Sequence, residues 1–146
     1  MTYIPDLTAA AERIARGNYN FTDDTGAAGS YTIFTVTGDV LLVVFGICKT
    51  ALTSGGASTI ELGVSGDTAV LIAQATETAL ILNEIWQDAT PTTTIEAIDL
   101  AGTKTFIVSG GQDVLFKITT ANLTAGAIDF YALWRPLSTD GNVVAA

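Results

Sequence analysis

Apolar and polar residues alternate along most of the chain with a period of two, the pattern of strands with one buried face. Val114, Phe116 and Ile118 alternate with Leu115, Lys117 and Thr119, and Ile128, Phe130, Ala132 and Trp134 with Asp129, Tyr131, Leu133 and Arg135. Residues 31–37 are rich in Thr, Val and aromatics, residues 58–64 form a further strand, and residues 104–108 and 93–99 follow the same style. Residues 40–49 are apolar almost without interruption, which predicts a strand buried on both faces. Gly38-Asp39, Ser65-Gly66-Asp67 and Ser109-Gly110-Gly111 supply turns, residues 53–57 a Gly/Ser loop and residues 89–94 a loop around Pro91. Residues 69–74 and 78–85 fit short strands better than helices, and a small, flexible tail follows Pro136. Only residues 5–16 carry a helical pattern. Pro5 and Asp6 suit a first turn, Leu7, Ala10, Ala11 and Ile14 fall on one face, and Gly17-Asn18 forms the stop.

Eight or nine short strands with regular turns predict a mostly β chain, a single antiparallel β-sandwich or jelly roll with a short N-terminal helix. The expected organisation is an N-terminal arm over residues 1–20 and a sandwich domain over residues 21–146.

The 146 residues suffice for one core. Charged residues make up only 14%, against roughly 25% in an average soluble protein, while hydrophobic residues make up 49%. The longest apolar run is about half the roughly 20 residues of a spanning helix and lacks the alternation of a barrel strand, so burial against partners is the better account of the low charge. A formal net charge of −9 and six scattered cations leave no basic patch for phosphates, which sets nucleic acid aside and disfavours anionic membranes. The start Met-Thr-Tyr-Ile-Pro-Asp lacks the cationic and apolar parts of a signal peptide, and predicts a protein made and assembled inside a cell.

Candidate chemistry is sparse. With no histidine, Ser-His-Asp and Cys-His pairs and the commonest zinc ligand are missing. Cys48 stands alone in an apolar run and fits a buried thiol. The glycine-rich loops lack the spacing of phosphate-binding motifs, and Asp23-Asp24-Thr25-Gly26 lacks that of a calcium loop. No cofactor, metal or catalytic residue is therefore assigned; paired carboxylates are the only enzymatic route left open.

Trp86 and Trp134 fit either a core or, with Arg135, a subunit contact, because Trp and Arg are enriched at interfaces. Tyr3, Ile4, Leu7 and Ile14 in the N-terminal arm complete the candidate contact set.

Three phrases carry a family likeness: residues 62–69 (Leu-Gly-Val-Ser-Gly-Asp-Thr-Ala), 84–91 (Glu-Ile-Trp-Gln-Asp-Ala-Thr-Pro) and 134–141 (Trp-Arg-Pro-Leu-Ser-Thr-Asp-Gly). Over roughly residues 58–146 the chain resembles the small head decoration, or cement, proteins of tailed bacteriophages. The resemblance implies a non-enzymatic virion protein, made in the host cytoplasm and bound to the outer capsid surface. It further implies a homotrimer at threefold or quasi-threefold positions, clamping neighbouring copies of the major capsid protein through an N-terminal segment. It assigns no individual site residue. The rival expectation is a carbohydrate- or receptor-binding β-domain of a viral fibre or lectin-like module, which requires surface aromatics beside Asp, Asn or Gln.

Overall fold

A computed structural model of the chain describes residues 11–91, 94–97 and 105–146. They form two five-stranded sheets in which every paired strand is antiparallel. Sheet A takes the order β1 (Arg13–Asn20), β9 (Leu123–Pro136), β3 (Val40–Ser54), with β6 (Ile85–Trp86) and β7 (Phe106–Val108) along the far side of β3. Sheet B runs β10 (Asn142–Ala145), β2 (Gly29–Thr37), β8 (Val114–Thr119), β4 (Thr59–Val64), β5 (Asp67–Thr76).

The period-two pattern explains the layering. Alternate residues of each strand turn inward, and the inner faces of both sheets share one core. Phe116 of β8 is its hub, with ring centroids 4.9 Å from Tyr19 on β1, 5.7 Å from Phe130 on β9 and 6.0 Å from Trp86 on β6. The expected mostly β, two-sheet architecture is thus what the chain adopts. No helix among the described residues is long and apolar enough to cross a membrane.

The expected helix over residues 5–16 does not extend to its end. Residues 5–10 lie outside the described residues, but Arg13–Arg16 belongs to β1, which pairs with β9 from Arg13↔Trp134 to Asn20↔Ala127. Ala15, Gly17 and Tyr19 point inward and Ile14, Arg16 and Asn18 outward. Small inward residues disguised this alternation as a helical stripe. Gly17 sits mid-strand, where a Cβ would come within 2.7 Å of the Ile33 side chain, so its smallness serves close packing instead of a stop. The only α-helical residues described are the single turn Phe21–Asp24.

Three further expectations are corrected. Residues 78–85 are not a strand: a 3₁₀ turn, Glu77–Ala79, leads into a segment tied to β3 by isolated backbone bonds, Leu80 O accepting from Leu52 N and Glu84 O from Cys48 N. Asn83 takes φ +68° there, which breaks a regular ladder until Ile85–Trp86. Of the strand expected over residues 93–99, residues 94–97 are not extended into a sheet and the rest lie outside the described residues. The tail is no loose end, since Asn142–Ala145 pairs with β2 and buries Val143 against Val36.

Candidate interaction surface

The two outer faces of the sandwich differ. On sheet B two outward cross-strand rows are polar, Ser30, Lys117 and Glu61 in one and Thr119, Thr59 and Thr76 in another, while Val70 and Val144 are its exposed apolar residues. Glu61 lies almost fully buried in that face, accepting from Thr68 Oγ1 at 2.6 Å and Gln74 Nε2 at 3.4 Å, with Lys117 Nζ 3.1 Å away. Burial would raise its carboxyl pKa; the hydrogen bonds from Thr68, Lys117 and Gln74, with the Lys117 charge, outweigh it and hold the group below its ordinary value.

Sheet A turns apolar residues outward. Ile14, Leu133 and Val43 are aligned across β1, β9 and β3, and Arg135, Leu41 and Ile107 form the next row. On the other side come Arg16, Tyr131 and Phe45, then Asn18, Asp129, Ile47 and Ile85. Ile14 and Ile107 are 70% and 68% exposed. An open pocket of about 190 Å³ lies between Glu12, Leu41, Val43, Leu133 and Arg135. Tyr131 stacks on Phe45 with centroids 5.4 Å apart, and the Arg16 guanidinium lies 5.8 Å from the Tyr131 ring.

Two arginines on this face are paired within the chain. Arg16 donates to Asp129 at 2.7 Å, a hydrogen bond that raises the arginine pKa further, and Arg135 stands 4.0 Å from Glu12. Those two pairs can meet an apolar surface without stranding a charge.

The structure divides the residues singled out in the sequence. Ile14 and Arg135 lie on the outer face of sheet A. Trp86 and Trp134 point the other way, into the core, at 0% and 4% exposure; Arg13 covers the Trp134 ring at 5.1 Å. Tyr3, Ile4 and Leu7 lie outside the described residues. Leu41, Val43, Phe45, Ile47, Tyr131 and Leu133 were missed as a group. Their signal was the apolar run 40–49, whose second face had to meet something.

Of the remaining groups, Cys48 and Glu77 are held by hydrogen bonds, whereas Glu84 Oε1, Trp86 Nε1 and Gln87 Oε1 are buried without a partner among the described residues. Cys48 is buried, its Sγ 3.2 Å from Thr50 O and 3.5 Å from Leu80 O, and burial pushes the thiol up to about 11, so it stays protonated and unreactive at neutral pH. Glu77, also buried, accepts from Ser54 Oγ at 2.6 Å. Among the described residues no cluster of three or more Asp, Glu or Cys side chains could hold a metal ion.

No family model matches the chain, and no curated protein does. Its structure is similar to a chain of the acidic stable capsid structure of Helicobacter pylori bacteriophage KHP30, with TM-score 0.54, over 91% of this chain and 92% of that one. At 12% identity the likeness is one of fold.

Proposed function

We propose that the chain is a non-enzymatic virion structural protein that decorates and stabilises a bacteriophage head from its outer surface. The observation carrying this reading is the end-to-end fold likeness to a chain of a phage capsid structure. The strand order supports it. We read β1-β9-β3-β6 against β2-β8-β4-β5 as a double-sheet jelly roll with β7 and β10 as additions, a fold that viral capsid domains use. An inert thiol, the hold of hydroxyl groups on buried Glu61 and Glu77 and the lack of histidine fit a scaffold better than a catalyst.

In this reading the segment before β1 is the arm that clamps the major capsid protein, and the protein works as a homotrimer. Binding only to the assembled shell stabilises it by mass action, by about 4 kcal/mol per site when free protein stands at a thousand times its dissociation constant. The test is cosedimentation of purified protein with heads of the phage encoding it, beside light scattering of the free protein. Saturable binding with loss on deleting residues 1–10 supports the reading; a monomer that ignores the heads overturns it.

One observation favours a second reading, a carbohydrate- or receptor-binding module. Tyr131 is a partly exposed aromatic, with Asp129 and Asn18 in the adjacent row, and jelly rolls also serve lectins. The apolar neighbours Leu133, Val43 and Leu41 weigh toward a protein contact, and a glycan array discriminates between the two.

A further inference from the structure

Charge and shape on the outer face of sheet A specify a partner. Arg135 and Asp129 lie six residues apart on the same face of β9, about 20 Å at strand rise. Between them stand Leu133 and Tyr131, and beside them on β3 run Leu41, Val43, Phe45 and Ile47. A sheet packed on this face keeps its strands within about 30° of parallel or antiparallel. If the covering sheet is a second copy running antiparallel, Arg135 of each copy falls opposite Asp129 of the other. On β9 and β3 Leu133 then meets Tyr131, Leu41 meets Ile47, and Val43 meets Phe45, apolar against apolar, while on β1 Ile14 falls opposite Arg16. Turned about an axis along the strands, β9 would instead lie on β3, setting Arg135 against Leu41 and Asp129 against Ile47, with no charge pair formed between the copies. The antiparallel arrangement is the one of the two that pairs opposite charges between the copies.

We propose that the outer face of sheet A is a twofold contact between copies of this chain, with the β9 strands antiparallel and two reciprocal Arg135–Asp129 pairs. Four strands about 4.8 Å apart and about 20 Å long present only roughly 300–400 Å² in projection, well under the ~800 Å² per partner of a stable interface. The contact is therefore weak between free molecules and gains strength where many copies are held side by side. It is separate from capsid binding and from threefold association, and requires neither.

The test is a charge exchange read by sedimentation velocity across a concentration series of the full chain. Wild-type protein is expected to associate reversibly through its twofold contact as concentration rises. Asp129→Arg and Arg135→Asp each place like charges face to face and should weaken that association about tenfold or more, a cost of about 1.4 kcal/mol. The double variant, made together with Arg16→Glu and Glu12→Arg so that the pairs within each chain also stay unlike, restores unlike pairs between copies and should recover it. Leu133→Asp should abolish it in either background. Circular dichroism and the unfolding midpoint show that each variant folds. A wild type with no association step assignable to this face overturns the contact, as does indifference to Leu133→Asp. Failure of the double variant to rescue overturns the antiparallel arrangement. Head binding by the same variants is scored separately: association without head binding sinks the decoration reading alone, and head binding without association sinks this contact alone.

Discussion

The two outer faces are built on the same plan, five antiparallel strands over one core, yet they handle exposure in opposite ways. Sheet B surrounds its single buried acid with donors, so Glu61 is satisfied by Thr68, Gln74 and Lys117 from its own face. That face is complete without a partner. Sheet A sets Ile14, Leu133, Val43, Leu41 and Ile107 outward and balances Arg16 and Arg135 with nearby acids. Its apolar rows gain only when something covers them.

The largest expected effect comes from the residue on which both faces depend. Phe116 joins the sheets through three ring contacts, so Phe116→Ala should cost about 3–5 kcal/mol and remove the contrast with the fold itself. Chemical denaturation measures it; a loss under 1 kcal/mol would mean that the sheets do not share this core.

Next in size is an attack on the self-sufficiency of sheet B. Lys117→Met leaves Glu61 buried with only neutral donors. The side chain of Lys117 is 34% exposed, so water has softened the pair, and a cost of about 1–2 kcal/mol is expected instead of the 3–5 for a fully buried one. The same site sets a pH dependence. Because the folded state holds the Glu61 carboxyl below its ordinary value, the unfolded chain binds that proton more readily as pH falls. Its stabilisation is present above the unfolded value of about 4.3 and is lost on descent through the lower folded value. Thermal unfolding of Glu61→Gln across that range should fall less steeply than wild type. An equal slope would remove Glu61 as the source.

How much of this was legible in the sequence follows from what each signal measures. Alternation found β2, β4, β8 and β9 because their inward positions are large and apolar. It failed for β1, where Ala15 and Gly17 face the core and a stripe of small residues looks helical. It failed for β10, where Val143 alone carries the buried side. It failed between residues 78 and 85, where Leu80 and Glu84 are held by backbone bonds to β3 that no local pattern encodes. Within the candidate surface, the double-faced apolarity of β3 was visible and its meaning was not, because cross-strand neighbours of Val43 come from β1 and β9, far away in sequence. Arg135 was found through its company with Trp134, although the two point to opposite sides of the sheet.

Smaller effects sharpen the contrast from the side of sheet A. Ile14 and Ile107 are so exposed that Ile14→Thr or Ile107→Thr should change stability by no more than about 0.5 kcal/mol. Their effect belongs to solubility and association, where each should raise the concentration at which the protein self-associates. A drop in unfolding midpoint comparable to that of Phe116→Ala would show these side chains to be core residues, and the difference between the faces would disappear.

The smallest effect is expected at Arg16. Its ion pair with Asp129 is close, but the arginine side chain is 64% exposed and its charge is screened over about 10 Å at 0.1 M salt. Arg16→Ala should leave the unfolding midpoint where it is, at low and at high salt. What it changes is Asp129, whose carboxylate loses its partner within the chain and becomes a stronger acceptor for a cation from outside. If sheet A meets a second copy as proposed, association of Arg16→Ala should become more sensitive to salt than wild type, because more of the contact then rests on Arg135 of the neighbour. Salt dependence identical to wild type would mean that Asp129 serves only its own chain, and that the two faces differ in hydrophobicity but not in how they use their charges.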